Sequence, residues 1–116
     1  MKQRTLAALA ALALAAPAIA SDPMPQLFAT LAPGDGTTIS FTNILCEGPC
    51  VERQPHCAKS QVAYATGATG VIVGRGCWEQ RDGFVMVNFE GQPARQFPVT
   101  AAEVTPAMRE WRARNR

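Results

Sequence analysis

The chain has 116 residues, with 11 Lys and Arg against 9 Asp and Glu, and one histidine. Two of the basic residues, Lys2 and Arg4, and no acidic one fall within residues 1–20, so residues 21–116 are formally neutral. A neutral surface has no counterion-release drive toward nucleic acid. A chain this short makes one domain, buries only ~60–65% of its unfolded surface and leaves little depth for an enclosed active site.

Residues 1–20 read as a secretory signal peptide. Lys2 and Arg4 form a positive head, Leu6 to Ala16 is a run of Ala and Leu, and Pro17 breaks it ahead of the small-x-small site Ala18-Ile19-Ala20. The run is too short for a membrane span, and no later stretch reaches ~18 apolar residues. The expectation is a periplasmic or secreted protein with no span after cleavage. Residues 21–36 follow as an arm rich in Pro and Gly, ending in the turn Pro33-Gly34-Asp35-Gly36. Proline fixes φ and removes a donor, so the arm is expected to hold neither a regular helix nor a central strand.

A single β domain is predicted over residues 37–116. Thr37 to Leu45 alternates, with Ile39, Phe41 and Leu45 on one face. The loop Cys46 to Cys57 contains Gly48-Pro49 and Pro55, which argue against regular structure. Gln61 to Thr66 is a second strand, joined by the four-residue loop Gly67-Ala68-Thr69-Gly70 to a third, Val71 to Glu79. Arg81-Asp82-Gly83 carries the Asp-Gly hairpin signature. Phe84 to Phe89, apolar on both faces, is a central strand. Ala94 to Val99, flanked by Pro93 and containing Pro98, is an edge. Thr100 to Glu103 has capping-box spacing for a short helix, and Thr105-Pro106 suits the start of another bearing Met108 and Trp111. The fold class is therefore mostly β: an antiparallel meander of about five strands with a short C-terminal helix.

Four cysteines, Cys46, Cys50, Cys57 and Cys77, read in an exported chain as two disulfides with three connectivities. Together with His56 they could instead be a zinc set, but the spacing is not that of paired two-residue knuckles, and export favours oxidation. No metal, cofactor or catalytic residue is assigned. His56 is the only histidine available as a base, and Ser40 and Ser60 carry no nucleophile motif. The carboxylates Glu47, Glu52, Glu79 and Asp82 read as solvated loop charges. Gly76-Cys77-Trp78 is the most distinctive local feature. Trp78 is expected to share a face with Gly74 and Gly76, with Phe84 and Met86 nearby on the next strand. These aromatics either pack over a glycine floor or form a partner-binding face of Trp78, Phe84 and Met86.

Pro49-Cys50, Gly76-Cys77-Trp78 and Val85-Met86-Val87-Asn88-Phe89-Glu90-Gly91 resemble a loose group of small, functionally uncharacterised exported proteins of proteobacteria and their phages. That resemblance implies the pairing Cys50–Cys77, which leaves Cys46 with Cys57 as an added pair. In size, compartment and fold class the chain is also similar to small periplasmic lysozyme inhibitors. Their loop carries Ser-Gly ahead of a Tyr, and its nearest echo here is Thr66-Gly67-Ala68. The expected function is non-catalytic binding of a protein or envelope component, with inhibition of a cell-wall hydrolase as the alternative.

Overall fold

The computed structural model describes residues 23–115, and the leader expected over residues 1–20 lies outside them. The five expected strands form, at Thr38–Leu45 (β2), Gln61–Thr66 (β3), Ile72–Arg81 (β4), Phe84–Phe89 (β5) and Arg95–Pro98 (β6). Two more join them: β1 at Leu27–Leu31 and β7 at Glu103–Val104. All seven pair antiparallel in one curled sheet, in the order β6-β5-β4-β3-β2-β1-β7.

β1 corrects the reading of the arm. Pro23, Pro25 and Pro33 all lie outside Leu27–Leu31, so every amide in the strand can donate, and β1 pairs on both sides, with β2 and β7. The expected helix over Thr100–Glu103 is also corrected. Val99–Ala101 makes one 3-10 turn, and Glu103 and Val104 then pair with Thr30 and Ala29. The cap sits at Thr105 instead. Its hydroxyl accepts from the Met108 amide at 3.2 Å and donates to the Leu27 carbonyl at 2.9 Å, opening α2 (Pro106–Arg114) with Pro106 in its first turn.

The inward face of the curl holds the main core. Ile39 and Phe41 of β2, Ala63 and Ala65 of β3, Trp78 of β4 and Val85, Val87 and Phe89 of β5 form one buried cluster with Ala29 and Leu31 of β1. Large residues come from the flanking strands and small ones from the centre, which lets the sheet curl tightly. Full burial of a side chain such as Phe41 or Val87 is worth ~1.5–3 kcal/mol. Leu45, expected on the Phe41 face, is exposed because the β2–β3 register shifts between Phe41 and Leu45. The Thr42 hydroxyl stabilises that irregularity, donating to the Val62 carbonyl at 2.7 Å and accepting from the Ile44 amide at 3.1 Å.

The link from β6 to β7 closes the curl. It leaves one edge of the sheet and returns on the other, packing Val99 and Ala102 against the core. At the other end, Arg95 of β6 lies 3.9 Å from Asp35 in the β1–β2 turn.

The outward face of β3 and β4 carries a second, smaller cluster, built by the cysteine loop. Pro49 and Pro55 begin regular turns rather than preventing them: α1 at Pro49–Arg53 and a 3-10 turn at Pro55–Cys57. The disulfides are Cys46–Cys50 and Cys57–Cys77, with Cα–Cα separations of 5.3 and 5.8 Å. This overturns the pairing implied by the resemblance, although two bridges and no free cysteine are present among the described residues. The loop's path gives the reason. The turn into α1, where the Cys50 amide bonds the Glu47 carbonyl, carries Cys50 back to Cys46. The 3-10 turn then lays Cys57 over β4, where Cys77 faces outward beside Val62.

Candidate functional site

Trp78, Phe84 and Met86 do not share a face. The two-residue turn Asp82-Gly83, with φ of 51° and 82°, pairs Arg81 with Phe84, so Glu79 lies opposite Met86 and Trp78 opposite Val87. Trp78 is therefore inward, while Phe84 and Met86 are outward. Counting back from that turn would have placed them correctly.

Trp78 is a core residue at 7% exposure. Its ring stacks on Phe28 at 5.8 Å and meets the edge of Phe41 at 5.2 Å. Its indole N–H donates to the Thr42 carbonyl at 2.9 Å. The glycine floor exists but serves another ring: a Cβ on Gly74 would lie 3.6 Å from Phe89. Phe84 is 40% exposed on the outer face of β5, opposite Pro98, and Met86 beside it is half-buried.

Three surface features remain as candidates. At one end of the sheet, an open groove of about 410 Å³ is bordered by Phe28, Leu45, Lys59, Gln61, Trp78 and Glu79. Its aromatic wall is already engaged, since Phe28 carries both the Trp78 ring and the Arg112 guanidinium, 5.1 Å from its centroid.

At the opposite end, the β3–β4 hairpin exposes three consecutive β-branched residues. Val71 is 62% exposed, Ile72 40% and Val73 59%. Val71 precedes β4 and the β3–β4 register shifts beside Val73, so the three side chains stand exposed at the irregular end of the hairpin. Its loop is closed by the Gly67 amide on the Val71 carbonyl at 2.9 Å.

The third feature is the cysteine cluster. His56 is exposed on the 3-10 turn, and its ring lies within 4.8 Å of the Cys57 and Cys77 sulfurs. Those sulfurs are bonded to each other, so only the imidazole has a free ligand pair, and this set does not fit a resident metal.

The carboxylates read from the sequence stay apart. Glu79 pairs with Arg81, and Glu47 and Glu52 are exposed on the cysteine loop. Asp35 is held below its ordinary value of 3.8 by the Thr37 hydroxyl and amide, which both donate to it, with a smaller contribution from Arg95. No helix among the described residues is long and apolar enough to cross a membrane. Comparison with protein-family models, with curated proteins and with solved structures finds no match to this chain.

Proposed function

We propose that the chain is an exported, non-catalytic domain that binds a protein partner through the end of its β3–β4 hairpin. The exposure of Val71, Ile72 and Val73 carries this reading. Contiguous apolar surface on a small domain is costly in water and marks interaction sites. The two disulfides are compatible with an oxidising compartment, and residues 1–20 have the layout of a leader.

The test compares the wild type with a Val71→Lys/Val73→Lys variant as bait in periplasmic extract. Both sites are exposed, so the melting temperature should hold while a partner captured by the wild type is lost. Equal capture of that partner by both proteins would refute the hairpin as the contact. The narrow tip at residues 67–70, with glycines at both ends, also suits insertion into a catalytic cleft, which is the hydrolase-inhibitor reading. Inhibition of a cell-wall hydrolase by the wild type, and not by the variant, would select it.

A further inference from the structure

We infer that a small cavity between the cysteine loop and the outer face of β3 and β4 is a binding site for a carboxylate group. The cavity has a volume of about 120 Å³ and is lined by Cys50, Arg53, Gln54, Tyr64, Arg75 and Gly76 among others. This proposal is independent of the hairpin reading.

Gln54 is the observation that demands a ligand. It is 6% exposed, and its side-chain amide has no hydrogen-bond partner among the described residues. Its main chain is satisfied: its amide donates to Cys50 and its carbonyl accepts from Cys57. A buried primary amide has two donors and an acceptor, and leaving them unmet carries the full cost of their lost hydration. Buried polar groups in folded chains are nearly always paired, so an orphan that lines a cavity points to something within it.

The charge around the cavity selects an anion. Two arginines border it. Arg53 is 3.6 Å from Glu90, whereas Arg75 has no ion pair among the described residues. Two cations and one carboxylate leave a local excess of one positive charge. A planar guanidinium matches the two oxygens of a carboxylate. Gln54 and Tyr64 add neutral donors suited to a singly charged group.

Size narrows the ligand further. At about 120 Å³ the cavity is well below the ~300–1,000 Å³ of pockets that take drug-sized ligands, which suits a small group such as a carboxylate. The site is built by fixed elements. Tyr64 and Arg75 are a cross-strand pair, and Cys46–Cys50 anchors the short helix that leads to Gln54. Gly76 borders the cavity through its backbone.

The probe is N-acetylglycinate, titrated into the oxidised protein while the Gln54 side-chain amide and Arg75 Nε–H resonances are followed by NMR. The expected result is saturable one-to-one binding that shifts both resonances, with no binding of the neutral N-acetylglycinamide. Arg75→Met should weaken binding at least tenfold without lowering the melting temperature, since Arg75 is exposed. Arg75→Lys should recover part of the loss, and Gln54→Leu should weaken binding if it folds. No saturable shift with N-acetylglycinate would overturn the proposal and leave a water-filled cavity. Undiminished affinity in Arg75→Met, or tighter binding of inorganic phosphate, would also overturn it.

Discussion

Gly76 is the residue on which the sheet is least forgiving. A Cβ there would lie 1.8 Å from the Asn88 carbonyl oxygen and 2.8 Å from the Phe89 Cα, both backbone atoms that cannot swing aside. Gly76→Ala is expected to cost more than the ~3 kcal/mol of ordinary overpacking. Gly74→Ala, whose Cβ would meet Phe89 at 3.6 Å, should change stability by less than ~1 kcal/mol. Urea melts of the two variants measure the contrast. Trp78→Phe keeps an aromatic ring but removes the donor to Thr42, so it should cost ~1–3 kcal/mol in the same assay. Asp35 supplies a pH-dependent contribution. Its folded pKa lies below its unfolded value near 3.8, so the stability it gives is present above that value and is lost as pH falls through the folded pKa. The melting-temperature gap between the wild type and Asp35→Asn should therefore hold from neutral pH to about pH 4 and close below it. A gap that persists in acid would mean the Thr37 contacts are not ionic.

At the scale of elements, the two disulfides differ in what they tie. Cys46–Cys50, with a sequence separation of 4, fixes a turn within the loop, whereas Cys57–Cys77, with a separation of 20, fastens the loop to β4. The chain-entropy relation alone favours the longer bridge by ~1.3 kcal/mol, and the buried position of both its cysteines adds to that. The Cys57→Ala/Cys77→Ala variant should thus melt at lower denaturant than Cys46→Ala/Cys50→Ala, and the reverse order would show that the sheet tether is not the dominant cross-link. Thr105 joins two elements through one hydroxyl, capping α2 and holding β1, so Thr105→Ala should cost ~1–2 kcal/mol. Elements with strong periodicity or definite turn chemistry were legible in the sequence: β3 and β5 match to the residue, Asp82-Gly83 makes the expected turn, and β6 is an edge. β1 was hidden by its flanking prolines. β7, at two residues, is too short to show a period and exists because β1 offers it a free edge. The carboxylate site was illegible for a different reason. A four-residue loop at residues 67–70 in regular register would set Tyr64 opposite Val73, but the hairpin closes with Thr66 opposite Ile72 and the register shifts again between Ala65 and Thr66, which together set Tyr64 opposite Arg75. Nor does local pattern reveal that the cysteine loop brings Gln54 over that pair.

The whole molecule is a curled sheet closed by its own chain and fastened on its outside by a cross-linked loop. Its free edges are guarded: β6 ends at Pro98, and β7 offers only two residues. Apolar exposure is thereby left to places such as the hairpin end, where a partner can cover it. The loop lies where Cys57–Cys77 holds it, and the proposed export would supply the oxidising compartment in which that bridge forms. A tryptic map, without reduction, of the protein recovered from cells fractionated into periplasm and cytoplasm tests both most directly. Trypsin cuts after Arg53, Lys59, Arg75 and Arg81. The account predicts an N-terminus at Ser21, an internal link within the peptide ending at Arg53, and a separate pair joining Gln54–Lys59 to Gly76–Arg81. All three peptides held together as one species, free thiols, or an uncleaved N-terminus in the cytoplasm would contradict it.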